Sequence, residues 1–241
     1  MDESTVVVTG GTGGIGSAVA AAFLEAGATV VIGARDAAEI EETVDSLASD
    51  GDGDGDDDGH PQIEGLRTDV RDEFDLERLM ETASRAGKTG GIDVVAACAG
   101  VYHGTPGETP SDSEPYSRFD DHLATNARGV FGTITEALPH LNEGARVLVP
   151  TGAVAREAKP GYGSYAMSKA AAEAVVRGFA ADTDFVVGCL EPGQLATELT
   201  NGHGRDPETV AGMFVWAATE CIPATLDGAV VDLKTWKQAT R

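Results

Sequence analysis

Tyr165 and Lys169 stand four residues apart in Tyr165-Ala-Met-Ser-Lys169, a spacing that sets a phenol and an ammonium side by side on one helix face. A phenol held at a reacting oxygen can give or take a proton, and a neighbouring cation favours its ionised form. A surface Tyr-Lys pair meets the same spacing, so the pair alone leaves both readings open. Near the start, Thr9 to Gly16 reads T-G-G-T-G-G-I-G and joins an apolar run to a helical one. Glycines there permit a tight turn and let amides at a helix start approach a pyrophosphate, although a purely structural turn would use them too. Asn126 lies in Asn-Ala-Arg-Gly inside a helical stretch, where its propensity is poor.

Cys98, Cys189 and Cys221 are odd in number, far apart and without a C-x-x-C spacing, which points to packed thiols rather than disulfides or zinc. Asp50, Asp52, Asp54 and Gly55 match the opening of a calcium loop, but the twelfth position, which needs a bidentate Glu, is Pro61. No metal is expected. Residues 49–60 instead read as an acidic Asp/Gly loop insertion carrying six Asp.

The elements that must position these residues follow from periodicity. Strands are expected at 5–9, 29–33, 62–68, 92–97, 145–151, 185–190 and 229–233, and helices at 14–26, 37–48, 73–86, 118–141, 164–181 and 207–218. Strict alternation argues a doubly wound α/β fold with a parallel sheet, helices on both faces, and any ligand at the carboxyl ends of the strands. The 241 residues suit one domain, 1–241.

Charge narrows the partners. Forty Asp and Glu against 17 Lys and Arg give a net charge of −23, which argues against gripping nucleic acid or an anionic membrane. Only five of the basic residues are lysines, the acid-rich, lysine-poor balance of proteins that work in molar salt. Without a charged-then-apolar leader or an 18-residue apolar run, the expectation is a soluble, cytoplasmic protein.

Taken together, T-G-x-x-x-G-I-G at Thr9 to Gly16, Asp69-Val70, Asn126 in N-x-x-G, Y-x-x-x-K at Tyr165 to Lys169, and Pro192-Gly193 followed by Thr197 resemble the classical short-chain dehydrogenase/reductases. The likeness runs through to Asp227-Gly228-Ala229-Val230-Val231-Asp232. It implies a single Rossmann-like domain with a seven-stranded parallel sheet, and hydride transfer between NAD(P)(H) and a small carbonyl or alcohol. By the same resemblance Gly10, Thr12, Gly14, Ile15 and Gly16 cradle the cofactor. Asp69 and Val70 border the adenine, Ala99 and Gly100 lie against the cofactor, and Pro192, Gly193 and Thr197 meet the nicotinamide end. Tyr165 is the implied acid/base, Lys169 lowers its pKa, and Asn126 holds the water that resupplies the proton. A homodimer or homotetramer built on the helices at 118–141 and 164–181 is also implied.

Four features depart from the family pattern. The catalytic Ser expected 13 positions before Tyr165 is Gly152, in a register that Pro160 also fixes. Losing one donor to a developing oxyanion costs about 10²–10³ in rate. Thr151 swinging in, Ser164 or a substrate group replacing the hydroxyl, and a dinucleotide-binding homologue with little or no turnover are the alternatives. Second, Ala97-Cys98-Ala99-Gly100 replaces the usual Asn-Asn-Ala-Gly. Third, Ala34 stands at the second strand's tip where an acid would select NAD, and Arg35 follows, which favours NADP(H) over NAD(H) with Asp36 as the confusing neighbour. Last, only Glu198 to Asp206 separate Thr197 from the next helix, a short lid that suits an open pocket for a bulky or carrier-linked substrate; His203 within it reads as a solvent residue.

Overall fold

The computed structural model describes residues 1–50 and 62–241. The acidic segment, and with it the calcium reading, lies outside the described residues from position 51 onward; Ser49 and Asp50 close a helix.

Seven strands, β1 (Thr5–Thr9), β2 (Thr29–Ala34), β3 (Ile63–Arg67), β4 (Ile92–Ala97), β5 (Leu141–Pro150), β6 (Val186–Glu191) and β7 (Val230–Asp232), form one parallel sheet in the order β3-β2-β1-β4-β5-β6-β7. Sequence order reverses direction between β1 and β4, so the chain opens a crevice at their carboxyl ends. The helices are α1 (Gly14–Glu25), α2 (Ala37–Asp50), α3 (Glu73–Ala86), α4 (Tyr116–Leu123), α5 (Gly129–Ala137), α6 (Gly163–Asp182), α7 (Glu208–Thr219), α8 (Pro223–Leu226) and α9 (Leu233–Ala239).

Strand alternation divides the core into two layers. Val6, Val8, Val30 and Ile32 face α1 and α7, meeting Val19, Phe23, Met213 and Phe214. Val7, Val31, Val95 and Val147 face α3, α5 and α6, meeting Leu79, Met80, Ile134 and Val176. Burial on both faces explains why β1 and β2 read as continuous Val/Ile runs rather than alternating ones.

The structure changes three sequence expectations. The helix expected at 118–141 is divided: α4 ends at Leu123, a π-helical turn spans Ala124–Arg128, and α5 is followed by a 3₁₀ turn at Leu138–His140. Asn126 sits in that π turn, so a poor helix former marks a real irregularity. The fifth strand begins at Leu141 rather than 145. α9 was not expected; Asp232 starts it by accepting the Thr235 amide at 2.7 Å. Among the described residues no helix is long and apolar enough to cross a membrane.

Candidate active site

A cleft of about 980 Å³ opens at the carboxyl ends of the strands, across the β1/β4 crevice. Its floor is the glycine turn between β1 and α1. Gly10 and Gly14 adopt φ of +68° and +55°, and a Cβ on Gly10 would come within 2.8 Å of the Ala99 Cα. Only glycine serves there, because the left-handed region and the close backbone leave no room for a side chain. Gly13 caps α1 without contributing a side-chain acceptor, and a Cβ built on it would meet no atom within 4 Å. The Gly16 amide bonds the Gly13 carbonyl at 3.1 Å, while Gly14 and Ile15, the first two residues of α1, line the cleft and offer amides that fit a pyrophosphate. Thr125 Oγ1, buried in the cleft wall without a partner, is a further polar group suited to a bound ligand.

The cleft gathers most of the residues singled out from sequence: Gly10, Thr12, Gly14, Ile15 and Arg35, then Asp69, Val70, Ala99, Gly100 and Asn126, then Tyr165, Lys169, Pro192, Gly193 and Thr197. Gly16 is the exception. It does not line the cleft; a Cβ there would collide with the Gly10 carbonyl, so this glycine lets α1 pack against the turn instead of cradling a ligand. Thr197 closes over the turn from the opposite side, its methyl 3.2 Å from where a Gly14 Cβ would be. The lid behind it is a single 3₁₀ turn, Glu198–Thr200, and His203 stays exposed and off the cleft.

At the tip of β2, Arg35 is exposed on the cleft wall. Asp36 also lines the cleft, and one of its oxygens, Oδ1, accepts the Ala38 and Glu39 amides at 2.8 and 3.3 Å, starting α2. The run Asp36-Ala-Ala-Glu39 is a helix-start signature that could have revealed this. Sequence reading missed Glu39, which lines the cleft and accepts the Thr12 hydroxyl at 3.2 Å. Asp69 accepts three hydrogen bonds from the Arg71 guanidinium at 2.7–3.2 Å, and these hold its carboxyl below the usual range.

Deeper in, α6 presents Tyr165 and Lys169, while the turn at its start supplies Tyr162. Burial pushes the Tyr165 phenol up to about 12, and the phenols of Tyr102 and Tyr162 push in the same direction. This reverses the expected lowering by Lys169, because desolvation of a phenolate outweighs any attraction from the ammonium here. Lys169 Nζ donates to the Pro150 carbonyl at 2.7 Å, and burial lowers its own pKa. Asn126 Oδ1 accepts the Val101 amide at 2.8 Å, and its Nδ2 donates to the Val101 carbonyl and to Ser168 Oγ, both at 2.9 Å. The side chain braces the loop after β4 against α6: both Nδ2 hydrogens are spent, while Oδ1 holds one of the two hydrogen bonds it can accept.

Neither hydroxyl weighed as a replacement for the missing Ser serves the cleft, because Thr151 is spent on a carboxylate and Ser164 is 1% exposed and does not line the cleft. Thr151 Oγ1 donates to the buried Glu173 at 2.7 Å, and Ser164 Oγ lies 2.6 Å from His122 Nδ1. His122 Nε2 accepts the His103 amide at 2.9 Å, so its proton belongs on Nδ1, facing Ser164. Cys98, beside the Gly10 turn, is a packed thiol pushed up to about 12 by burial, and Cys189 likewise.

An α/β sheet with its crevice at the strand reversal, a glycine turn into a bare helix start, and a Tyr-Lys pair in one cleft define a nucleotide-binding class of protein. Residues 10–220 match the family described as enoyl-(acyl carrier protein) reductase. The chain is 32% identical over 199 residues to the short chain dehydrogenase/reductase AacuN of Aspergillus aculeatus, covering 80% of this chain and 69% of that one. It is 30% identical over 210 residues to an NADPH-dependent aldehyde reductase-like chloroplastic protein of Arabidopsis thaliana, covering 85% and 76%. Glycine betaine reductase ATRR of Emericella nidulans is 29% identical over 216 residues, but that match covers 87% of this chain and spans only 16% of that protein's length. A dehydrogenase/reductase structure from Sinorhizobium meliloti superposes with a TM-score of 0.81 at 26% identity, covering 96% and 94%. This chain belongs to the short-chain dehydrogenase/reductase family.

Proposed function

We propose that the protein is an NADP(H)-dependent reductase that interconverts a carbonyl and an alcohol. The observation that carries this is the convergence of the bare α1 start, Tyr165 and Lys169 on one cleft. The bound dinucleotide would supply or accept a hydride at the substrate carbon. Gly10, Gly14 and the α1 amides would hold its pyrophosphate, Asp69 and Val70 would border the adenine, and Thr197 with Gly193 would close on the nicotinamide end. A phenol kept protonated by burial is ready to donate to an oxygen gaining alkoxide character, which favours the reducing direction. Lys169, held by the Pro150 carbonyl, sets a positive charge beneath that site.

NADP(H) is favoured because Arg35 is exposed on the cleft wall, where it can meet a 2′-phosphate, while Oδ1 of Asp36 is turned to capping α2. The NADPH-dependent name of the Arabidopsis relative agrees with this. The exposed Tyr116, Phe119, Phe131 and Met167 on α4, α5 and α6 support the expected homodimer or homotetramer, which sedimentation would test. The acidic surface supports work in concentrated salt, within a cytoplasm that accumulates it.

One observation favours a second reading. With Gly152 bare, Thr151 spent on Glu173 and Ser164 off the cleft, a binding protein without efficient turnover is consistent with the site. Incubation with NADPH or NADH and a broad panel of carbonyls in molar KCl separates the two. Cofactor binding without oxidation of either nucleotide would refute the reductase.

A further inference from the structure

The protein does not rebuild, from its own hydroxyls beside Gly152, the second hydrogen-bond donor that this position lacks. Thr151 donates to Glu173, and Ser164, 1% exposed against His122, does not line the cleft. The Tyr102 hydroxyl is spent on the Thr105 and Gly161 carbonyls and on Thr109, at 3.1–3.3 Å. Gly152 itself has extended backbone, with φ −149° and ψ 162°, which any residue adopts. Glycine is therefore not required by conformation. Nor is it required by packing, because a Cβ would meet nothing closer than Val154 Cγ2 at 3.9 Å. What glycine leaves is open volume in the cleft wall where a donor would otherwise stand.

Three tyrosines, Tyr102, Tyr162 and Tyr165, line the same cleft. The Tyr102 ring lies 4.6 Å from that of Tyr165 and stacks with Tyr162 at 6.4 Å and an interplanar angle of 14°. Pro106, Val154 and Leu199 complete an apolar lining. Such rings and apolar side chains suit a planar aromatic ring.

We infer that the substrate is a hydroxyaryl ketone whose own ring hydroxyl, ortho to the carbonyl, fills the space at Gly152 and donates the second hydrogen bond to the carbonyl oxygen. The inference rests on the reductase reading above. The carbonyl carbon accepts a hydride from the reduced dinucleotide, forming a C–H bond as the C=O π pair moves onto oxygen. Tyr165 gives its proton to that oxygen, and the product is the alcohol with the oxidised dinucleotide. The ring hydroxyl keeps its proton throughout and only shares it with the developing charge. Held coplanar in a six-membered hydrogen-bonded ring, it needs no protein group to orient it.

The test compares 2′-hydroxyacetophenone, 2′-methoxyacetophenone and acetophenone in the wild type and in Gly152→Ser. Intrinsic reactivity differs among the ketones but cancels between the two proteins. The hydroxyketone's advantage in kcat/KM should be at least about tenfold larger in the wild type than in Gly152→Ser, out of the roughly 10²–10³ one such donor supplies. Equal advantages in both proteins would overturn the inference and leave the reductase reading standing, as would turnover of other carbonyls with none of these ketones accepted. A loss above about tenfold in Tyr162→Phe together with equal advantages would assign the missing donor to that phenol instead. Equilibrium dialysis gives a readout independent of turnover. The wild type should retain the hydroxyketone more tightly than Gly152→Ser does, with no such difference for acetophenone. If no carbonyl is reduced, the reductase reading fails, and dialysis alone then decides whether the Gly152 space accepts the hydroxyl.

Discussion

Replacing Glu173 by alanine should cost the fold about 2–4 kcal/mol. The Glu173 side chain is 3% exposed on α6, accepts Thr151 Oγ1 at 2.7 Å and pairs with Arg156, which also pairs with Glu191 at the end of β6. One carboxylate thus ties α6 to the segment after β5 and, through Arg156, to β6. Its removal strands a buried hydroxyl donor, a loss of about 1–3 kcal/mol, and breaks an ion pair. Complete burial of that pair would put the second loss at about 3–5 kcal/mol, but the Arg156 side chain is 38% exposed and regains water, so the smaller sum applies. In a domain of this size the melting temperature should fall by roughly 5–15 °C. Glu173→Gln keeps an acceptor for Thr151 and should lose about half as much. Thermal melts and urea titrations at matched salt give both numbers, and two variants melting within about 1 °C of wild type would refute the network's role. Activity supplies an independent sign: Glu173 opposes the burial that lowers the Lys169 pKa, so Glu173→Gln should move the alkaline limb of the pH profile to lower pH.

Further outcomes follow from the site. Arg35→Ala should raise KM for NADPH about 10–100-fold, the worth of a charge-assisted hydrogen bond, with little change for NADH. Glu39→Gln should sharpen the NADPH preference, and steady-state kinetics with both nucleotides checks the pair. Because the Tyr165 phenol is raised to about 12, carbonyl reduction should stay flat through neutral pH while alcohol oxidation climbs with pH; oxidation that levels off below pH 8 would contradict this. His122 is held below its usual 6.5, so the unfolded chain takes up its proton first. Stability should therefore be full above about pH 6.5 and fall as pH drops through the window beneath it, by up to about 1.4 kcal/mol per pH unit, and His122→Asn should remove that slope in urea unfolding. Finally, raising KCl from about 0.1 to 1 M shrinks the Debye length from about 10 to 3 Å and should raise the melting temperature of a chain carrying −23. A melting point independent of salt would remove the case for a saline setting.

β1, β2, β4 and β6 were legible because each is dominated by an apolar run, the pattern that burial on both faces of a parallel sheet demands, whereas the start of β5, Leu-Asn-Glu-Gly, is polar and was missed. The Tyr165 to Lys169 spacing and the glycine turn were legible because helix periodicity and steric freedom are local properties. The packing of Gly16 and Asn126 was not legible for one shared reason: their partners, the Gly10 carbonyl and Val101, come from other elements and cannot be read from neighbours in the chain. The Tyr165 pKa went the other way for a similar reason. Sequence sets an ammonium one turn from the phenol, while only the packed site shows how much water the phenol has lost.

From the sequence alone come the fold class, the nucleotide-binding turn, the acid surface and the absence of a hydroxyl at Gly152, all of which depend on residue type and spacing. Tertiary structure decided that Thr151 donates to Glu173 and Ser164 is buried against His122, that one oxygen of Asp36 caps a helix start, and that aromatic rings from two separate segments line the same cleft as Gly152. A hydrogen-bond donor is available or spent according to what stands within about 3 Å of it, and folding alone sets that distance.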